Sequence, residues 1–294
     1  MNPRLSFYYE DPRRIGRNDG PPLFWWNTAR RLFGKDNSIH LLPNGDWADH
    51  GIFDYHFWVD WGEDALMNML PYSPQTPPKP NIYIASDTHL GYDYRLSRAR
   101  EFDWVFCNQL KAVEEFIKDG IPANRCMWLP HAAEPLAYPK KEMINRYDVS
   151  FVGNVGSWNR VEFLDRMFKE FPNFFYGKRL FEEAAEIYSQ SKIVLHISIK
   201  DDIAMRPFEV LSTGSFLLCN NLPTMHHLFK EGVHYAGFDT LDEAVEKAKY
   251  YISHDAERQR IADAGYAEFM AKHTYEHRLK TVLDIVGANE KVLA

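Results

Sequence analysis

The sequence predicts an α/β protein with two Rossmann-like halves facing each other across a cleft, and three observations carry that expectation. Short apolar runs of strand length alternate with helix-length amphipathic stretches along most of the 294 residues, a pattern that builds parallel sheets through crossover helices. The alternation breaks once, over residues 130–146, where three prolines interrupt a stretch of mixed polarity, and then begins again. The chain is also long enough for two ordinary domains. The expected division is residues 1–138 and residues 139–274, followed by a closing helix over residues 275–294.

In the first half, residues 4–9 (RLSFYY) predict a strand, and a glycine-containing polar loop leads from it to a helix over residues 23–33. That loop is a place where a ligand approaches backbone closely in α/β folds, although it lacks GxGxxG. Strands are expected at residues 38–42 and 55–59. Residues 71–80 carry five prolines and cannot be helix or strand throughout. The apolar run 81–85 then ends at Ser86-Asp87-Thr88-His89, polar residues at a strand exit. Helix 93–101, strand 104–108, helix 111–118 and strand 126–129 complete this half.

The second half opens with strand 149–152, a loop from Gly153-Asn154 to Arg160, and helix 161–170. Strand 173–176 runs into Gly177-Lys178-Arg179, and helix 182–189 follows. Residues 189–221 are the stretch around which the chain is organised: strand 192–199, polar loop 200–206, short helix 207–212, Thr213-Gly214, and strand 215–219. Ligands of open α/β sheets sit beyond the carboxyl ends of the strands, so this loop turns Asp201, Asp202, Arg206 and Glu209 toward a ligand. Arg206 brings a fork of donors for a phosphate. Glu209 and Asp201, eight residues apart, are acceptors suited to the hydroxyls of a ribose or a sugar. One anion binder with two polyol acceptors suggests a nucleotide sugar; a helix-start glutamate paired with a surface arginine is the plainer alternative. A short strand near His234 and helices 241–253, 256–273 and 275–286 close the chain. In the last of these, Tyr275, Leu279, Val282, Leu283 and Val286 form an apolar stripe, with His277, Arg278 and Lys280 off it, solvated or cleft-facing.

Composition narrows the function. Hydrophobic residues at 45% and charged residues at 26% are those of a folded globular protein. The net charge of −7 is spread over both halves and leaves no basic half for a nucleic acid. No leader opens the chain and no run of 18 apolar residues occurs, so a cytoplasmic protein without a membrane span is expected. Cys107, Cys126 and Cys219 show no CxxC spacing and are expected to be buried small hydrophobes. Neither GxSxG nor a metal-binding HExxH, HxH or DxD pattern occurs, so no metal site is expected.

Taken together, Phe151-Val152-Gly153-Asn154, Arg206-Pro207-Phe208-Glu209 through Gly214, and His273 through Arg278 resemble the CgeB-like, spore maturation protein type glycosyltransferases. Asp87-Thr88-His89 and Trp128-Leu129-Pro130-His131 strengthen the resemblance, which runs from about residue 81 to residue 283. It implies a GT-B fold, with the nucleotide-sugar donor held mainly by the second domain, the acceptor mainly by the first, and the final helix over residues 275–294 crossing back from the donor domain onto the first. It also implies kinship with retaining group 1 transferases, whose two acidic residues eight apart fall here on Asp201 and Glu209. The first is aspartate where that group usually has glutamate. The donor contacts expected are Gly153, Asn154, Arg160, Lys178, Arg179, Asp201, Arg206 and Glu209, with no cofactor beyond a UDP- or GDP-sugar.

Glycosyl transfer from a nucleoside diphosphate needs the leaving diphosphate neutralised, and Arg160 and Arg206 are the residues expected to do this without metal. His89 is expected to act on the acceptor hydroxyl or to bind the donor sugar, with Asp87 orienting it; a capping Asp87 and a packed His89 are the structural counterpart. The acceptor is left open among glycan, protein, small molecule and modified nucleic-acid base. A catalytically idle GT-B protein that binds glycan or assembles into a surface, and a GT-B nucleotide-sugar epimerase, are the alternative functions.

Overall fold

A computed structural model describes residues 2–8, 20–41, 53–60, 79–156, 158–198 and 203–293. The chain divides into two compact units, Met1–Pro130 with Tyr275–Ala294 and His131–Thr274.

The first unit is a six-stranded sheet in the order β2-β1-β3-β4-β5-β6, parallel throughout. Its strands are β1 (Leu5–Tyr8), β2 (Ser38–Leu41), β3 (Tyr55–Val59), β4 (Asn81–Ala85), β5 (Trp104–Cys107) and β6 (Cys126–Trp128). β1, β4 and β5 are buried at every position, as expected of parallel strands covered on both faces. Helix α1 (Pro21–Phe33) begins with two prolines, whose fixed φ suits a first helical turn. It starts two residues before the expected position for that reason. Helices α2 (Tyr92–Ala99) and α3 (Leu110–Lys118) complete the crossovers around β5.

The second unit is a five-stranded parallel sheet in the order β11-β10-β9-β7-β8. Its elements run β7 (Tyr147–Val152), α4 (Trp158–Glu170), β8 (Phe174–Gly177), α5 (Phe181–Ser189), β9 (Ser191–His196), α6 (Arg206–Ser212), β10 (Leu217–Asn220), β11 (Ala236–Phe238), α7 (Leu241–Ser253) and α8 (Asp255–Lys272). Because strand side chains alternate, adjacent residues of β9 enter different cores. Val194 joins Tyr188, Phe208 and Leu211 on one face, and Leu195 joins Phe151, Met167 and Ala248 on the other. Gly265 lets α8 lie against its neighbours: a Cβ there would fall 2.4 Å from the His234 carbonyl oxygen and 2.7 Å from Leu211 Cδ2. The short strand expected near His234 forms two residues later, beyond the turn at Gly232, whose φ is +73°.

Within the first unit the closing helix α9 (Tyr275–Leu293) packs on α1, with Tyr275 5.4 Å from Phe24 and 5.8 Å from Trp25 between ring centroids. Tyr275, Leu279, Val282 and Val286 are buried, so the apolar stripe is the packing face. Arg278, expected to be solvated or cleft-facing, is not solvated. It is buried, and its Nε donates to the Pro130 carbonyl at 2.7 Å. Burial lowers its pKa to about 10, the cost of placing a guanidinium where it ties down the end of the preceding segment. All three cysteines are free and buried, as expected. Among the described residues no helix is long and apolar enough to cross a membrane.

Candidate functional site

In the second sheet the strand order reverses between β7 and β9, and the crevice at such a switch point, beyond the carboxyl ends of the strands, is where open α/β sheets bind ligands. The loop Gly153–Gly156 leaves β7 there, and Ile197 and Ser198 leave β9. Arg160, in the first turn of α4, joins the two lips. Its Nη1 donates to the Asn154 carbonyl at 2.9 Å, its Nε to the Ile197 carbonyl at 2.9 Å, and its Nη2 to that same oxygen. The guanidinium thus sits over the crevice, half-buried and rotationally fixed. No described carboxylate pairs with it.

Arg206 enters from the first turn of α6. A Cβ on Gly153 would lie 3.6 Å from Arg206 Nη2 and 3.5 Å from the Phe151 ring. The guanidinium thus lies close to the β7 loop. One helical turn on, Glu209 Oε2 is 2.9 Å from Arg206 Nη1, the i,i+3 spacing that brings side chains together on a helix. The other carboxylate oxygen, Oε1, accepts the Tyr138 hydroxyl at 2.9 Å. Arg206 Nη1 also donates to Tyr188 Oη at 2.5 Å. Tyr138 is held in turn by its own carbonyl, which accepts from Ser212 Oγ at 2.7 Å, and by its ring against Phe181. A carboxylate, an arginine and two tyrosines therefore form one connected polar cluster at the edge of a hydrophobic core.

The charges follow from burial and neighbours. Burial lowers the Arg160 pKa, and the nearby positive charge of Arg206 lowers it further. Burial works against the charge of Arg206 too, but the Glu209 carboxylate and the Tyr188 hydroxyl more than offset it and leave its pKa above the ordinary value. His196, the last residue of β9, is buried, and its Nε2 has no hydrogen-bond partner among the described residues. Burial, then Arg160, then Arg206 hold its pKa well below the imidazole range, so it is neutral at pH 7. Burial pushes the Tyr138 and Tyr188 hydroxyls up, with Glu209 adding to both, and each remains a proton donor. Among the described residues two arginines stand here against one carboxylate, an excess of positive charge that suits an anion.

Of the residues expected at the donor site, Gly153, Asn154, Arg160, Arg206 and Glu209 come together at this crevice. Asp201 lies outside the described residues, as does Asp202. Lys178 and Arg179 are exposed on the loop after the edge strand β8, where Arg179 Nη1 donates to the Lys178 carbonyl at 2.7 Å. Among the described residues no group of three or more His, Cys, Asp or Glu side chains is placed to hold a metal ion. Tyr138, Tyr188 and His196 were not anticipated. Tyr138 sits in a proline-broken connection with no periodic signal, and the other two occupy ordinary core positions of a helix and a strand.

In the first unit, Asp87 and His89 lie in the loop after β4. Asp87 has φ +47°, a left-handed conformation uncommon for a residue with a side chain. Its surroundings over-determine it. Ser86 Oγ bonds Asn108 Oδ1, Thr88 N and Oγ1 donate to Gln109 Oε1 at 3.3 and 3.2 Å, and Leu90 N donates to the Asp87 carbonyl at 2.8 Å. Strain held in place by neighbouring bonds is a common mark of a working loop.

Residues 134–284 match the model of the glycosyl transferase-like family. Among solved structures, Anabaena Alr3699/HepE in complex with UDP-glucose is 11% identical, with 97% of this chain and 100% of that one covered and a TM-score of 0.64. The β-glucosyltransferase of phage T4 in complex with its UDP-glucose substrate is 14% identical, with 96% and 99% covered and a TM-score of 0.60. TarM is 9% identical over 79% of this chain and 54% of its own, with a TM-score of 0.59. No curated protein matches the chain in sequence. At these identities the structural likeness is one of fold, and the fold is GT-B, two domains each built on a parallel sheet.

Proposed function

Because the chain belongs to the glycosyl transferase-like family, a glycosyltransferase by class, we propose that it moves a sugar from UDP-sugar to an acceptor hydroxyl, retaining the anomeric configuration and needing no metal. The observation that carries this reading is the meeting of Arg160, Arg206 and Glu209 at the β7/β9 crevice. Nucleotide-sugar cleavage puts negative charge on the departing diphosphate, and preorganised cations in a partly desolvated site stabilise that charge most. Arg160 is already fixed by three hydrogen bonds to backbone, so little reorganisation is left for it. Arg206 is the second clamp, and Glu209 takes the ribose hydroxyls on its remaining lone pairs. The UDP and UDP-glucose bound by HepE favour uridine over guanosine. Asp87 and His89 are assigned to the acceptor hydroxyl, His89 as the base and Asp87 as its orienting partner. The CgeB-like subgroup is the closest description of the motif set.

Calorimetric titration with UDP, together with UDP-glucose hydrolysis followed by NMR, tests the proposal. UDP should bind, and slow hydrolysis should release α-glucose at a rate indifferent to EDTA. Absence of binding by UDP, GDP and their sugars would overturn the donor assignment. Loss of turnover in EDTA with rescue by Mg²⁺ or Mn²⁺ would overturn metal independence, and release of β-glucose would overturn retention.

A further inference from the structure

Glu209 is the inner member of its ion pair and Arg206 the outer, their side chains 8% and 22% exposed. The two charges lie at ion-pair distance, but Glu209 Oε2 has no hydrogen-bond partner among the described residues, and Arg206 Nη1 donates to Tyr188 Oη. Where a diphosphate draws the Arg206 guanidinium away from Glu209, the buried carboxylate needs another anchor; an unpaired buried charge is strongly disfavoured. Tyr138 is placed to be that anchor. Its hydroxyl already donates to Glu209 Oε1 at 2.9 Å, on the oxygen that Arg206 does not hold. Its backbone is fixed by Ser212 Oγ at 2.7 Å, from the same helix that carries Glu209, and its ring is buried beside Phe181. Donor and acceptor thus sit on one rigid frame. Tyr138 is 2% exposed and does not itself meet the donor.

We infer that Tyr138 is the positioning residue for the donor's ribose: its hydroxyl holds Glu209 in the rotamer that presents the carboxylate to the vicinal diol while Arg206 serves the diphosphate. This rests on the donor reading above and adds to it the residue that sets ribose recognition. Without the Tyr138 hydroxyl, Glu209 keeps its charge but loses its fixed direction, so discrimination between ribose and deoxyribose should fall before affinity for the diphosphate does.

The test compares binding of UDP and 2′-deoxyUDP to the wild-type chain and to Tyr138→Phe by calorimetry. The wild type should prefer UDP by about tenfold or more, the range of a hydrogen bond to a charged acceptor. In Tyr138→Phe that ratio should drop to about threefold or less, and in Tyr138→Phe with Glu209→Gln it should drop no further than in Glu209→Gln alone. The ratio is taken on one protein sample, so partial loss of folded material cancels from it. An unchanged ratio in Tyr138→Phe overturns the inference and leaves the donor reading standing. A wild type that binds UDP but shows no preference overturns the inference together with the ribose role of Glu209. A wild type that binds neither nucleotide overturns the donor reading itself.

Discussion

The two sheets reverse strand order at equivalent places, between β1 and β3 in one unit and between β7 and β9 in the other, yet they treat charge at their strand exits in opposite ways. In the first unit Asp60, just past β3, is buried against Arg95 at 2.7 Å and against the Tyr83 hydroxyl at 2.9 Å, with side chains 1% and 0% exposed for the ion pair. Each charge there is cancelled inside the fold, although burial still pushes the Asp60 pKa up. In the second unit the hydrogen bonds of Arg160 among the described residues go to backbone carbonyls, and Arg206 remains partly exposed beside its carboxylate. A cancelled pair holds elements together. An excess of positive charge at a crevice is left available to an anion.

The largest expected effect breaks the first cluster. Asp60→Ala leaves the Arg95 guanidinium buried without its carboxylate and should destabilise the protein by about 3–5 kcal/mol in chemical denaturation. Loss of less than about 1 kcal/mol would mean that the pair contributes no more than a surface contact. Next is Arg206→Ala, which removes a clamp from the developing diphosphate charge and should lower the turnover of UDP-glucose by about 10²–10³-fold. Turnover within about threefold of wild type would place the diphosphate elsewhere.

Glu209→Gln sharpens the contrast within the second cluster. It keeps the shape but exchanges an acceptor for a donor, and UDP affinity should weaken by about 1.5–3 kcal/mol in calorimetry. Unchanged binding would remove Glu209 from the ribose.

The smallest effect concerns His196. Its folded-state pKa is depressed, first by burial and then by the two arginines, so the unfolded chain takes up a proton that the folded one refuses. Its contribution to stability is therefore fully present above the ordinary imidazole pKa of about 6.5 and is lost as pH falls toward the folded-state value, by at most about 1.4 kcal/mol per pH unit. Urea midpoints at pH 7.5 and 5.5 should differ less in His196→Gln than in wild type. Equal differences would show that other groups govern acid sensitivity.

Much of this was legible from residue order. Alternating apolar runs located the strands, the break at residues 130–146 separated the two alternations, and Arg206 with Glu209 stood out because a fork of donors and an acceptor opened a short helix at a strand exit. Arg160 was legible as a cation in a loop after a strand. Its two carbonyl acceptors were not, since Ile197 is 37 residues away. Arg278 shows the same limit from the other side. A charged residue beside an apolar helical stripe reads as solvated, whereas in the fold it is buried with its Nε on the Pro130 carbonyl.

Local chemistry and periodicity settled which segments become strands and helices, because they depend on neighbours within a few positions along the chain. The same short motifs carried a resemblance to glycosyltransferases, and the match of residues 134–284 to the glycosyl transferase-like family bears out that class. The tertiary structure alone decided which charges meet and which are spent on each other. Tyr138 reaches Glu209 across 71 residues, and Asp60 reaches Arg95 across 35. Such pairings depend on strand order and on the face each side chain takes, and no pattern of spacing in the chain records them. A buried tyrosine in an irregular segment has no periodicity to mark it; its hydrogen bond to a carboxylate exists only once the sheet has brought α6 beside the connection.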